Sequence, residues 1–247
     1  MITTTAAPPI AEPTSDPRRG VRAGWGRGVG PWTLRIAVLF AGLFLYGLSA
    51  AMLLGSGLGA MPWDVLHEGV ALHSPLSVGV VSIVVAALVL LAWAPIRQRP
   101  GLGTVCNVVL IGTVIDLMWP VIGSPQQWWA KVALMLGGIV LNAVATVMYI
   151  GADLGPGPRD GLMTGLVRRT GRSIRLVRST IELTVVLVGW LLGGPLGIGT
   201  VLYAIAIGPL IQLVARRSPL PAMPGAGVRK RRGSSDAACS SSTRGSC

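Results

Sequence analysis

Four charged residues in the second half of the chain have the types and spacing to do chemistry. Arg159 and Asp160 are adjacent in the loop GADLGPGPRDGL, residues 151–162. Arg178 and Glu182 are four apart, the separation at which two side chains on one helix face meet and pair. A guanidinium beside a carboxylate is the chemistry of an ion pair, or of a site for a small charged solute. Glu182 lies roughly 12 Å along the axis of a helix beginning near Ser173. Ionisable residues placed so deep in apolar segments face a bundle interior and mark a pathway or a buried partner. With Arg178 beside it the carboxylate stays ionised; alone, burial would raise its pKa. Both readings, a structural ion pair and a solute or proton site, stand at this point.

Composition says what must position these groups. Of 247 residues, 51% are hydrophobic and 12% charged, against about 25% charged in soluble domains. Apolar runs at Ile36–Leu54, Ser74–Ile96 and Val132–Ala152 are each long enough for the roughly 20 residues of a membrane-crossing helix. Leu183–Ala215 is too long for one crossing and is broken by GGPLG at 193–197, so it belongs to two. Gly101–Ile122 is interrupted only by Asp116, which reaches the far interface. The expectation is an all-α polytopic membrane protein with six transmembrane helices.

The loop at 151–162 has a twin, GSGLGAMPWDVL at 55–66, with Gly, Leu, Gly, Pro, Asp and Leu at identical spacing. Sliding the chain by 96 residues aligns 35–118 with 131–214 without a gap, and about a quarter of the pairs are identical. Residues 31–122 and 123–217 are therefore two tandem membrane copies of three spans each. An odd number of spans turns the second copy upside down in the bilayer, the inverted repeat recurrent in secondary transporters. Because the second copy's first span is internal, the first span of the chain is read as retained rather than cleaved as a signal. Residues 1–30 and 218–247, rich in Pro, Ser, Gly and Arg, are expected to be disordered cytoplasmic segments.

Each twin loop is followed by a segment too short to cross, Asp64–Leu72 and Asp160–Arg169, expected as a short interfacial or re-entrant helix with Asp64 or Asp160 as N-cap. Gly155 supplies backbone freedom in the loop, and Gly199 with Thr200, like Gly103 with Thr104, opens the third span of its copy. Arg159, Asp160, Arg178, Glu182, Asp64, Gly155, Gly199 and Thr200 are the candidate substrate-binding or gating positions. Asn142 and Tyr203 read as helix–helix hydrogen-bonding residues. His67 and His73 match no metal spacing and read as surface histidines. The loop lacks the Lys and Ser/Thr of a phosphate-binding loop, and no nucleophile and base are paired. The sequence therefore points to no enzyme and to neither cofactor nor metal.

The formal charge of +12 does not mean nucleic acid, since the basic residues lie between apolar spans without interleaved aromatics. With a cytoplasmic amino terminus, every one of the 21 basic residues except Lys131 falls on the inner side. Both termini are thus expected in the cytoplasm, with the chain in the cell's inner membrane. Arg229–Arg232 suit anionic lipid or serve topology. Cys106 lies in a span, Cys239 and Cys247 in the tail, so no disulfide framework or lipid anchor is expected.

GPGPRDGL, the R-x-x-x-E of residues 178–182, GWLLGG at 189–194, GIGT at 197–200 and AIGPLIQ at 206–212 resemble the YczE-like family of bacterial integral membrane proteins, grouped with the YitT type. The similarity spans about 33–217 and is more specific in the second copy. It implies a multi-pass bacterial inner-membrane protein and adds no substrate. Two functions remain: a transporter or permease for a small solute, favoured as anionic or zwitterionic by the arginines, and a non-transporting membrane scaffold or regulator acting through its basic cytoplasmic segments.

Overall fold

The structure, a computed structural model, describes residues 31–96 and 100–217. The segments expected to be disordered, most of the tail arginines, Cys239 and Cys247 lie outside the described residues. Among the described residues there are nine helices and no strand. Copy one holds α1 (Trp32–Ser56), α2 (Pro62–Ala71), α3 (Val78–Leu91), α4 (Trp93–Ile96) and α5 (Leu102–Ile122). Copy two holds α6 (Trp128–Gly151), α7 (Pro158–Thr170), α8 (Ile174–Leu191) and α9 (Ile198–Arg217).

Helices start 96 residues apart because their start signals do. Ser77 Oγ accepts the Val80 N–H, and Ser173 Oγ the Leu176 N–H, both at 3.3 Å. Thr104 and Thr200 accept the N–H of Gly101 and Gly197 at 3.1 and 3.5 Å. Pro62 and Pro158 take the first helical position of α2 and α7, where a missing N–H costs nothing. This corrects one expectation: the N-caps are Met61 and Gly157, not Asp64 and Asp160. With proline in first place each aspartate falls in third, where its charge meets the positive end of the helix dipole.

Five segments are long and apolar enough to cross a membrane: α1, α3 with α4, α5, α6 and α9. Their outward faces carry Leu88, Leu91, Val121 and Ile205, a surface suited to hydrocarbon. α8 is not among the five, since its 18 residues include Arg175, Arg178 and Glu182. α2 and α7, at 10 and 13 residues, are too short. About half of the apolar window of α1 and α6 is buried (44% and 50%), against 22–28% in the other three, so these two helices form the centre.

The copies meet through contacts that recur with partners exchanged. A β-carbon on Gly42 would sit 2.8 Å from Tyr149 N and against Met148 and Ala145; one on Gly138 would meet Leu53, Ser49 and Met52, the same positions shifted by 96. Leu58 O accepts the Gly199 N–H at 2.8 Å, and Leu154 O accepts the Gly103 N–H at 2.9 Å. The twin loops share their backbone: φ is 63° at Gly57 and 52° at Asp153, 124° at Gly59 and 127° at Gly155. α2 lies on α8 with Val65 against Gly189, and α7 lies on α4 with Gly161 against Trp93. One end of the bundle gathers Arg35, Arg169, Pro95 and Asp153. At this basic end Arg35 donates to the carbonyls of Ala152 and Asp153 at 2.9 and 2.6 Å, satisfying the C-terminus of α6. The opposite end joins Gly55 to Gly123 and Ser77 to Asp116.

Candidate functional site

Arg159, Asp160, Arg178 and Glu182 all line one cavity of about 180 Å³ at the junction of the copies. α7 supplies the first two from its opening turn, because the proline start places Arg159 and Asp160 immediately inside the helix. α8 supplies the other two: Ser173 caps it, so residues 178 and 182 share one face. Arg178 Nε donates to Glu182 Oε1 at 2.9 Å, with the side chains 52% and 34% exposed. In water so exposed a pair is worth about 0–1 kcal/mol, little enough for a solute to compete with it.

Asp160 Oδ2 accepts the Tyr149 hydroxyl at 2.7 Å. The Arg159 guanidinium lies over the Trp63 ring, 4.8 Å from its centroid, a cation–π contact. Among the described residues it has no carboxylate or hydrogen-bond acceptor, so its donors are left for whatever enters the cavity. Tyr203, also on the wall, donates to Asn142 Oδ1 at 2.8 Å; Asn142 Nδ2 donates to Ser49 Oγ at 2.9 Å, and Ser49 to Tyr46 O at 2.6 Å. This chain ties α9, α6 and α1 together behind the charged groups, the helix-bonding role expected of Asn142 and Tyr203.

A second cavity of about 60 Å³ shares Trp63, Arg159, Asp160, Tyr46 and Tyr149 with the first and is otherwise walled by Gly157 and Pro158 of copy two and by copy one, including His67, Ser82 and Asn107. Trp63 and Arg159 are equivalent positions of the two copies, and they touch each other between the two cavities.

The remaining candidates lie elsewhere. A β-carbon on Gly155 would sit 3.0 Å from Gly101 Cα, and one on Gly199 2.8 Å from Gly59 O. Thr200 is 4% exposed beside Gly59. These three hold the seams between copies and do not line the cavity. Asp64 is 1% exposed, with Oδ1 3.1 Å from His67 Nδ1 and Oδ2 without a partner among the described residues. His67 is likewise 1% exposed, which corrects its reading as a surface residue: the i,i+3 spacing from Asp64 turns both into the same seam. His73 is exposed, its Nδ1 at 3.0 Å from Gly69 O. Asp116 serves α3, accepting from Ser77 Oγ and from the Gly79 N–H at 2.8 Å.

Outside the spans, burial and then the nearby Asp64 charge push the Glu68 carboxyl up to about 7. Burial lowers His67, with Asp64 opposing, and raises Asp153 against the pull of Arg35. Among the described residues no group of three or more His, Cys, Asp or Glu is placed to hold a metal. Sequence reasoning missed Trp63, Tyr149 and Tyr46 as cavity residues. The usable signal was that Trp63 is the positional equivalent of Arg159.

The family of unknown function DUF6198 matches residues 33–216. An uncharacterized protein of Haemophilus influenzae is 36% identical over 197 residues, 77% of this chain and 90% of its own length. The uncharacterized membrane protein YczE of Bacillus subtilis is 34% identical over 181 residues, 72% of this chain and 84% of its own. YyaS, an uncharacterized protein of the same organism, is 25% identical over 176 residues, 70% and 88% of the two lengths. No solved structure matches. With its apolar helices and its match along nearly the whole bundle, the chain belongs to the DUF6198 family and is a YczE-like multi-pass membrane protein.

Proposed function

We propose that the protein is a transporter or permease for a small solute, built from six crossings in two inverted copies, with alternating access by one copy rocking against the other. The observation carrying this reading is the convergence of Arg159, Asp160, Arg178 and Glu182 on one cavity at the junction of the copies. The exchanged contacts of Gly42 and Gly138, and of Leu58 and Leu154, support the inversion, since two units related by a two-fold axis meet in that way. α8 is the sixth crossing. Its 18 residues reach about 27 Å, Arg175 lies in its first turn near the interface, and Arg178 and Glu182 are paired with each other. The charge bias puts both termini in the cytoplasm of a cell with the protein in its inner membrane, leaving α2 outside and α7 inside, interfacial or re-entrant. Arg159, whose donors meet no acceptor among the described residues, favours an anionic or zwitterionic solute. The reading involves no bond-making step and no cofactor.

Uptake by proteoliposomes, comparing wild type with Glu182→Gln, tests it. Uptake of a small anion or zwitterion is expected, reduced about tenfold or more in the variant, a factor worth about 1.4 kcal/mol. If neither protein moves any of a broad panel of such solutes, the reading fails. One observation favours the scaffold alternative: Arg178 and Glu182 close on each other at 2.9 Å. A silent transport panel would leave that reading in place.

A further inference from the structure

The two cavities are images of each other under the 96-residue shift. Ser82, Ala86 and Asn107 stand in the small one where Arg178, Glu182 and Tyr203 stand in the large one. They differ in how far they reach. The large cavity extends toward the basic end along Thr146, Ile150 and Ile211. The equivalents Ala50, Leu54 and Ile115 are buried, 1%, 6% and 0% exposed, and do not line the small one.

The cause lies in the second and third spans of each copy. In copy one α3 and α5 are shut together: a β-carbon on Gly79 or Gly112 would strike the other's carbonyl oxygen, and Asp116 of α5 holds Ser77 and Gly79 at the start of α3. In copy two, among the described residues, α8 and α9 do not pack closely. Gly208, in the place of Gly112, has nothing within 4 Å of where its β-carbon would be. Gln212 and Arg175 occupy the places of Asp116 and Gly79.

We infer that the small cavity is the opposite-end half of the solute path, and that Asp116 is the latch keeping that half shut while the molecule stands open toward the basic end. The inference rests on the transport reading. Two copies of one backbone, inverted, give two exchange-related arrangements: α3 on α5 with α8 away from α9, and the converse. In the converse arrangement α3 leaves α5, Asp116 releases its donors to water, and Ala50, Leu54 and Ile115 become the wetted wall. The carboxylate on a helix N-terminus is a charge-assisted contact. Copy two lacks it, so the latch biases the resting population toward the basic-end-open state.

Thr146 and Ala50 are equivalent positions on the two halves and serve as paired reporters. Each is replaced by cysteine in the full chain with Cys106, Cys239 and Cys247 changed to Ser, and a membrane-impermeant maleimide is added from either side. Thr146→Cys reacts from the basic side, which also reports a folded protein. Ala50→Cys reacts slowly from the opposite side, and Asp116→Ala or Asp116→Asn speeds that reaction about tenfold, the shift expected from losing hydrogen bonds to a charge. A short thiol cross-linker joining Ser77→Cys to Asp116→Cys abolishes it. Labelling of Ala50→Cys that ignores both the Asp116 variants and the cross-link overturns the latch. Labelling that responds, in a protein moving no solute, removes the transport reading and keeps the latch. Measured uptake with unresponsive labelling does the reverse.

Discussion

Where copy two carries Arg178 and Glu182, copy one carries Ser82 and Ala86, on the same turns of a helix that starts from the same serine cap. The backbone has been kept and the chemistry has been written on one side only. What the copies share are the positions at which one backbone touches the other: Gly42 and Gly138, Gly59 and Gly155, Gly103 and Gly199, Thr104 and Thr200. What they do not share are the polar positions of the cavity walls, where Ser82, Ala86 and Asn107 stand as the equivalents of Arg178, Glu182 and Tyr203. Close packing tolerates little change in volume, whereas a wall facing a void meets no such limit, so divergence collects there.

The sharpest way to break this comparison is to put the same methyl group in both copies. Gly112→Ala collides with Gly79 and should cost about 1–3 kcal/mol in denaturation of the detergent-solubilised protein. Gly208→Ala meets nothing within 4 Å and should be neutral or stabilising by about 0.5–1 kcal/mol, as for alanine in any open helix position. Equal costs would mean that α3–α5 and α8–α9 are packed alike.

A smaller effect separates Arg35 from its equivalent Lys131. Arg35→Ala removes two hydrogen bonds to the end of α6 and should cost about 1–2 kcal/mol. Lys131→Ala, with no such contact among the described residues, should change stability by less than about 0.5 kcal/mol.

The smallest effect lies on α2, where Glu68 corresponds to the uncharged Thr164 of α7. Its folded pKa of about 7 stands above the ordinary 4.5, so the folded state holds a proton that the unfolded state has released. Stability should therefore fall as pH rises from about 4.5 to about 7. Glu68→Gln should flatten that part of the profile of melting temperature against pH. An unchanged slope would place the effect on another group.

Much of the frame was legible. Shared start signals at Pro62 and Pro158, Ser77 and Ser173, Gly101 and Gly197 place the helices of both copies 96 residues apart, and the GGPLG break separates α8 from α9. The contact of Arg178 with Glu182 was legible too, because an arginine and a glutamate four apart share one helix face. The failures were tertiary or positional. Asp64 and Asp160 look like N-caps until the proline before them is given first place in the helix. His67 looks like a surface residue until α2 is laid on α8, a contact set by Gly69 and Gly189, which are far apart in sequence. Trp63 stands at the position equivalent to Arg159, and in the fold the two are partners in one cation–π contact.

The central claim, that the halves lie inverted in the bilayer, is tested most directly by labelling two equivalent positions at the ends of the short helices. In a protein otherwise without cysteine, His73→Cys after α2 and Arg169→Cys at the end of α7 are exposed and should react with an impermeant maleimide from opposite faces of the membrane, with residue 169 reacting from the cytoplasm. Reaction of both from the same face would contradict the account.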